Sequence, residues 1–176
     1  ELGESGMDEE GFSGVDGRTS IFDYWSIKSV RNWVNNGRFD ETGLTEKQCE
    51  IRNIYKKILR IARTEKAITS GLFYDLSYAN TSNKCFNTGR QYAFMRKHDN
   101  EALLVLANFD KSEQTVQVRI PEEAFAYLEI NDNEAAGLTD LLSGETSIST
   151  LTHVCPFKVV IPAFSGKVLK FTYKSK

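Results

Sequence analysis

The chain of 176 residues carries 22 basic and 24 acidic side chains, which gives a formal net charge of −2. Proteins that bind nucleic acid through its phosphates carry an excess of basic residues, so this charge argues against a nucleic-acid-binding protein. Hydrophobic residues make up 40% of the chain, enough for a buried core, but no apolar run approaches the roughly 18–20 residues of a membrane-spanning helix.

The first 20 residues combine clustered carboxylates with closely spaced glycines. Glycine disfavours a stable helix, so this segment is predicted to be an irregular loop. Carboxylates beside glycines also occur in calcium sites, but the order DEEGFSGVDG at residues 8–17 lacks the spaced oxygen ligands of a calcium-binding loop. A solvated loop without a metal ion is therefore expected.

An aromatic-rich segment follows at residues 21–36, and it is predicted to form a short helix. Asp23 or Ser26 can cap its start, and the residues Asn35 to Gly37 favour its end because Asn and Gly tolerate a left-handed backbone. Trp25 and Trp33 fall roughly on one side with neighbouring valines. Packing against a core is the expected role of these rings, with stacking on a sugar as the alternative.

A long helix is predicted from Thr45 to Arg63, and the pattern allows one further turn to Ile68. Thr45 and Gln48 have the spacing of a capping box. Apolar residues then recur at the spacing of one helical face. This stripe consists of Ile51, Ile54, Tyr55, Ile58, Leu59 and Ala62.

From Leu72 onwards the pattern changes to short alternating or apolar runs separated by turn residues, which is typical of antiparallel strands. One helical turn is predicted at residues 121–125, and turns are predicted at Gly137, Gly144 and Gly166. The predicted strands are 72–76, 92–96, 102–109, 114–120, 127–130, 138–142, 147–151, 157–161 and 168–173. The fold class is therefore mainly β: a helical part at residues 1–70, then an antiparallel β-sandwich at residues 71–176.

The sequence predicts no catalytic, cofactor-binding or metal-binding residue, because it contains no phosphate-binding loop, dinucleotide fingerprint or zinc-type cluster. His98 in a turn and His153 in a loop lack a neighbouring nucleophile motif.

Three cysteines at positions 49, 85 and 155 are expected to be free thiols, some of them buried, with one disulfide as the alternative. Asn80 begins an Asn-Thr-Ser glycosylation acceptor pattern.

Four segments together resemble the C-terminal end of an α-amylase-family glycoside hydrolase, and the resemblance runs through essentially the whole chain. Residues 1–4 (ELGE) are similar to the end of the stretch after the last barrel strand, and residues 16–25 (DGRTSIFDYW) to the loop that follows it. The long helix resembles the final barrel helix. Residues 92–96, 102–109, 140–144 and 161–169 resemble strands and turns of the family's C-terminal Greek-key β-domain.

The resemblance implies a parent enzyme with a (β/α)₈ barrel that cleaves α-glucosidic bonds in starch or maltooligosaccharides with retention. The nucleophile, the acid/base and the third carboxylate of that family come from barrel strands four, five and seven, whereas this chain begins after strand eight. The carboxylates between Glu1 and Asp23 take none of these roles; at most, the loop from Leu2 to Trp25 borders the parent's cleft. The chain alone is expected to be inactive, with its β-domain supporting the barrel.

Two further hypotheses stay open at this stage. The first hypothesis is that the β-domain is an α-glucan-binding module. The second is that the chain is an unrelated interaction domain. For the first, the candidate stacking rings are Tyr74, Tyr78, Phe86, Tyr92 and Tyr127.

The helical stripe has consequences for the partners of this chain, because in a complete enzyme it would lie on barrel strands. Burying one Ile-sized side chain contributes roughly 1.5–3 kcal/mol. The stripe is therefore expected to be covered by the β-domain, by residues 22–34, or by a second copy in a homodimer through the face of Ile51, Ile54, Tyr55 and Ile58. The partners expected from the sequence are the parent's barrel, an α-glucan or a second copy.

Overall fold

The computed structural model of the chain describes Leu2 and residues 28–172. The predicted loop at residues 1–20, the predicted caps Asp23 and Ser26, and Trp25 lie outside the described residues. The chain divides into two compact units, residues 1–60 and residues 61–176.

In the first unit, helix α1 runs from Lys28 to Val34 and is followed by a 3₁₀ turn at Asn35–Gly37. Asn36 and Gly37 have φ angles of 56° and 83°, so they end the helix in the left-handed conformation that the sequence predicted. Trp33 packs within its own unit: the Arg52 guanidinium carbon lies 3.5 Å from its ring centroid, and Phe39 meets it edge-on at 6.0 Å. This packing favours a structural role for Trp33.

Helix α2 extends from Glu46 to Thr64, close to the predicted bounds. The capping box is formed: Thr45 N donates to Gln48 Oε1 at 3.0 Å, and Gln48 N donates to Thr45 Oγ1 at 3.3 Å. The further turn does not continue the same helix. Glu65 takes an extended backbone conformation, with ψ near 116°, and a separate short helix α3 follows at Lys66–Thr69.

The second unit contains eight antiparallel strands and helix α4, Glu122–Tyr127. The strands are β1 Leu72–Asp75, β2 Gln91–His98, β3 Glu101–Asn108, β4 Gln114–Val118, β5 Asn133–Asp140, β6 Thr146–Leu151, β7 Phe157–Ile161 and β8 Ser165–Thr172. Six of them form a sheet in the order β1-β2-β3-β8-β5-β6, and β4 pairs with β7 in a second sheet. The predicted mainly antiparallel β architecture is thus confirmed.

The core of this unit lies between the two sheets. Alternate residues of the large sheet point inward, as in Met95, Leu104 and Leu106, and they join Val116 of β4 and Ile161 of β7 in one buried cluster. Side chains of a strand alternate between its two faces, so the neighbouring residues of β2 and β3 lie on the outer face of the large sheet.

Three local predictions in this unit were wrong. Residues 127–130 are not a strand, because α4 continues to Tyr127 and Glu129 turns the chain with a φ of 50°. Gly137 and Gly166 lie inside β5 and β8 and not in turns. At Gly166 a Cβ atom would lie 2.7 Å from the carbonyl oxygen of Leu106 on the adjacent strand, so glycine is needed there for strand approach.

Candidate interaction surfaces

No pair of described side chains assembles into an obvious catalytic centre around either histidine. His98 Nδ1 lies 3.2 Å from a carboxylate oxygen of Asp99, its sequence neighbour. His153 Nδ1 lies 2.7 Å from Asp132 Oδ2, and Oδ1 of the same carboxylate accepts the backbone N–H of His153. Asp132 thus joins the loop before β5 to the loop after β6.

The His153–Asp132 pair lines an open depression of about 480 Å³ beside α4. Phe125 and Ile130 form its apolar part, and the residues lining it include no serine, threonine or cysteine. Among the described residues, the histidine therefore has no nucleophile beside it in this depression. The prediction that the chain contributes no catalytic residue stays a prediction.

Within the described ranges, no group of three or more His, Cys, Asp or Glu side chains is arranged to hold a metal ion. The described helices include none that is long and apolar enough to cross a membrane.

Helix α3 is fixed to the outer face of the large sheet by backbone and side-chain hydrogen bonds. Arg96 of β2 donates from Nε to the carbonyl oxygen of Ala67 at 2.9 Å and from Nη2 to that of Ile68 at 2.5 Å. Glu101 of β3 accepts the N–H of Ala67 at 2.9 Å. Arg96 and Glu101 satisfy backbone groups that a helix of one turn leaves unpaired, and Ala67 is fully buried as a result.

Lys170 of β8 completes this attachment, which we call the α3 clasp (Glu65, Arg96, Glu101 and Lys170 around α3). Its Nζ donates to Glu65 Oε2 at 2.6 Å and to Glu101 Oε2 at 2.8 Å. Burial alone would raise the pKa of Glu101, but the hydrogen bonds from Lys170 and Ala67 and the lysine charge lower it below its ordinary value. Burial would lower the pKa of Lys170, and its two carboxylate partners raise it instead.

Gly71 sets the distance between the end of α3 and β2. A Cβ atom at this position would lie 2.5 Å from the carbonyl oxygen of Lys97 and still closer to that of Ala67. Only glycine allows the chain to leave α3 and enter β1 this close to the neighbouring strand.

Beyond α3, the same outer face of the sheet presents exposed aromatic rings. Phe73 of β1 pairs in register with Arg96, so both lie on the face that carries α3. Phe94 contacts Phe73 and Tyr92 with ring centroids 5.4 Å and 5.7 Å apart, and Phe73 and Tyr92 are exposed. We call Phe73, Tyr92 and Phe94 the aromatic face. It continues an area that α3 already covers.

A second aromatic group, the tyrosine cluster, consists of Tyr74, Tyr78 and Tyr127. The hydroxyl oxygens of Tyr74 and Tyr78 lie 2.6 Å apart, and the Tyr74 and Tyr127 ring centroids lie 5.6 Å apart. Burial is the main cause of the raised pKa of Tyr74, and the hydrogen bond with Tyr78 adds to it. Tyr78 and Tyr127 are about half exposed.

The five predicted stacking rings therefore separate into three groups. Tyr74, Tyr78 and Tyr127 come together, whereas Tyr92 belongs to the aromatic face. Phe86 is only 2% exposed and is part of the core, so it is not a surface ring. Sequence alone missed Phe73, which the register of β1 with β2 places on the outer face.

Most side chains of the α2 stripe are exposed, so the expectation that the stripe is covered within the chain was wrong for them; residues 22–27 of the expected cover lie outside the described residues. Ile54 is 54% and Ile58 47% exposed, and Tyr55 and Leu59 are exposed as well. Ile51 is half-buried, and Ala62 is exposed. A helix with several exposed apolar residues on one face is typical of an interface.

Asn80 is unsuited to glycosylation in the folded chain. Its side chain is fully buried: Nδ2 donates to the carbonyl oxygens of Leu76 and Arg119, and Oδ1 accepts from Arg119 N and Asn83 Nδ2. The amide nitrogen that would carry a glycan is thus already hydrogen-bonded to two backbone carbonyl oxygens.

The three cysteines are free, as expected. The expectation that some of them are buried was wrong. Cys85 and Cys155 are exposed, and Cys49 is half-buried.

Comparison with known proteins agrees with the fold. Residues 92–152 match the family model of the alpha-amylase SusG C-terminal domain. No curated protein matches the sequence.

Several solved structures share the fold at low identity. AmyP in complex with maltose is 16% identical with a TM-score of 0.53, over 76% of this chain and 22% of that one. An Anoxybacillus alpha-amylase is 13% identical with a TM-score of 0.50, over 80% and 26%. The Geobacillus thermoleovorans alpha-amylase complexed with acarbose is 16% identical with a TM-score of 0.51, over 72% and 24%. The chain thus spans about a quarter of the length of the proteins it matches.

The family match covers β2 to β6, the centre of the predicted β-domain, and the fold comparison extends over most of the chain. The family match speaks against the hypothesis of an unrelated interaction domain. Residues 92–152 thus match an α-amylase-type C-terminal domain, consistent with the C-terminal region of an α-amylase-family enzyme.

Proposed function

We propose that this chain is the C-terminal region of a longer, retaining α-glucan hydrolase acting on starch and maltooligosaccharides. Residues 1–70 are the end of its catalytic barrel, and residues 71–176 form a β-domain that stabilises that barrel. The single observation that carries the proposal is the family match over residues 92–152.

Two exposed apolar surfaces support the stabilising role. The aromatic face lies beside α3 on one sheet face, and the α2 stripe exposes Ile54 and Ile58. Such surfaces lower the free energy of a protein when another part of the chain covers them. A barrel supplied by the longer chain is the proposed occupant, and a homodimer through Ile51, Ile54, Tyr55 and Ile58 is the competing one.

The chain by itself is proposed to be catalytically inert. Retaining glycosidases need two carboxylates about 5–5.5 Å apart on either side of the scissile bond. By the family resemblance those residues belong to earlier barrel strands. Three of the described acidic residues have structural partners: Glu65 and Glu101 bind Lys170, and Asp140 accepts from Lys167 and from the backbone N–H groups of Leu142 and Val168.

The test of inertness is release of reducing ends from starch and from maltooligosaccharides by the purified chain. No turnover above buffer and heat-denatured controls is expected. Turnover that co-purifies with the folded chain and follows its concentration would contradict the proposal.

A second candidate function is α-glucan binding by the tyrosine cluster. The observation that favours it is the clustering of Tyr78 and Tyr127, both about half exposed, around Tyr74. Aromatic side chains with an apolar face and a polar hydroxyl suit ligands that are themselves amphipathic, as sugar rings are.

Affinity electrophoresis in starch-containing gels tests this candidate. The chain should be retarded, and the variant carrying Tyr78→Ala and Tyr127→Ala should migrate as in a gel without starch. Tyr55→Ala, an exposed tyrosine on α2, is the matched control and should keep the retardation. Absence of retardation of the native chain would remove the candidate.

A further inference from the structure

Strand β6 ends the large sheet, and it carries no charged residue and no proline; the irregularity in its pairing, between Asn133 and Ala136, lies on β5. Among the described residues, β6 pairs with β5 on one side only. Its sequence at residues 146–151 is Thr-Ser-Ile-Ser-Thr-Leu. Natural proteins protect exposed edges with lysine, proline, bulges or a short strand, because open N–H and C=O groups attract another strand.

The other edge strands of this unit differ from β6. β1 is only four residues long and ends in Asp75, and β7 carries Lys158 in its centre. The outer side of β4 is partly covered, because Gln117 N donates to the carbonyl oxygen of Cys85 at 3.1 Å and Asn83 Nδ2 donates to Gln117 O at 2.6 Å. β6 is therefore the long uncharged edge of the described fold.

The centre of β6 is an isoleucine without a side-chain neighbour on the adjacent strand. Ile148 is 78% exposed and pairs in register with Gly137 of β5. A Cβ atom built at Gly137 would meet nothing within 4 Å, so open space lies beside the isoleucine. Because β5 offers no side chain directly opposite Ile148, an apolar side chain on a strand added at the outer edge would be its direct cross-strand neighbour.

The sequence of β6 indicates which partner fits. Residues 146–150 read Thr-Ser-Ile-Ser-Thr in both directions. If two copies of this strand pair antiparallel about a two-fold axis at Ile148, the isoleucines lie opposite each other. Ser147 then lies opposite Ser149 of the second copy, and Thr146 opposite Thr150. Apolar pairs and hydroxyl pairs stabilise antiparallel strands, and no like charges meet.

We propose that β6 is a self-association surface through which two copies of this chain form a two-fold symmetric dimer with one continuous sheet. Such an isologous contact uses the same patch on both copies, which the palindromic strand provides. The occupant of this edge is thus a second copy, and the α2 stripe takes no part in the contact.

Sedimentation velocity of the complete 176-residue chain over a dilution series tests the proposal. The native chain should be dimeric at high concentration and dissociate on dilution. Ile148→Lys and Ile148→Glu should each be monomeric, because like charges then face each other across the axis. An equimolar mixture of the two variants should restore the dimer, because lysine then pairs with glutamate.

Two controls separate this contact from others. Ile58→Lys, a change on the exposed α2 stripe, should leave the dimer unchanged. Near-UV circular dichroism should show that the Ile148 variants are folded, since that side chain is exposed. Ile148→Arg replaces the lysine variant, or Ile148→Asp the glutamate variant, if either is not folded. A native chain that stays monomeric, a persistent Ile148→Lys dimer, or loss of the dimer on Ile58→Lys would overturn the proposal.

Discussion

Asn80 and Asn108 show how single buried amides fix the loops of the β-unit. Asn80 joins the segment after β1 to the end of β4 through Leu76 and Arg119. Asn108 Nδ2 donates to the carbonyl oxygens of Ser112, Ile161 and Pro162, and its Oδ1 accepts from Gln91 and Asp110. A buried amide is stabilising only when both of its ends are satisfied, as they are here.

The replacement Asn80→Ala tests this residue-scale role. It leaves buried backbone groups of Leu76 and Arg119 without partners, and each such group costs about 1–3 kcal/mol. The free energy of unfolding should fall by roughly 3 kcal/mol in urea denaturation. Asn100→Ala, at an exposed position in the β2–β3 turn, is the control and should change it by less than about 0.5 kcal/mol. Equal effects of the two replacements would refute the role of Asn80.

The sequence suggested a glycosylation acceptor at Asn80 and a surface ring at Phe86. Both interpretations rested on local pattern, whereas burial depends on strands that lie far away in the chain. Arg119, which occupies two of the bonds of Asn80, is separated from it by 39 residues.

At the scale of elements, prediction succeeded where the determining contacts are local. The Thr45–Gln48 capping box and the left-handed residues after α1 involve neighbours within a few positions, and both are formed. The alternation at residues 114–120 predicted β4, although the strand ends at Val118.

The α3 clasp illustrates what sequence could not reveal. Lys170 contacts Glu65 and Glu101, which lie 105 and 69 residues earlier. These pairings exist only because β3 and β8 are neighbours in register. The separate helix α3 was missed for the same reason, since its backbone groups bond to β2 and β3 rather than to α2.

Lys170→Met tests the α3 clasp through its pH dependence. It should lower the free energy of unfolding by about 1–3 kcal/mol near neutral pH, because two charge-assisted hydrogen bonds are lost. The pKa of Glu101 is lowered in the folded chain, so its contribution is full above the ordinary value of 4.5 and is lost as pH falls through the folded value. The pKa of Lys170 is raised, so its contribution is full below 10.5 and is lost as pH rises through the folded value.

The difference in free energy of unfolding between the native chain and Lys170→Met should therefore be largest between pH 4.5 and pH 10.5. It should shrink at lower and at higher pH. Urea denaturation at a series of pH values measures it. Lys158→Met, at an exposed lysine of β7, should show a small difference without this pH profile. A loss for Lys170→Met that stays constant into strong acid would contradict the clasp.

Replacing an isoleucine of α2 by alanine should have a small effect on stability in the exposed stripe and a large effect at the buried end of the helix. Ile58→Ala should change the free energy of unfolding by less than about 0.5 kcal/mol, because the side chain is already exposed. Ile61→Ala, three residues later at a buried position, should cost about 2–5 kcal/mol. A large loss for Ile58→Ala would mean that the stripe is covered in the isolated chain.

At the scale of the whole molecule, the family resemblance carried more information than periodicity. Periodicity predicted a helical part and an antiparallel β-sandwich, whereas the order of four segments predicted an α-amylase-type C-terminal domain, which the match at residues 92–152 confirms. The proposed boundary at residue 70 remains a prediction. The compact unit begins at Ile61 and includes α3, which is bonded to β2 and β3.

The exposed α2 stripe and aromatic face are the features that an isolated chain explains least well. In the proposed enzyme we expect a catalytic barrel to cover both of them. The dimer proposed for β6 uses a different part of the chain, the uncharged edge of the large sheet.

The most direct test of the proposed function is the sequence of the messenger RNA upstream of the codon for Glu1. The account predicts that the reading frame continues upstream and encodes the rest of a (β/α)₈ barrel, with the three carboxylates expected of the family. An initiation codon immediately before Glu1, with no barrel encoded in frame, would contradict it.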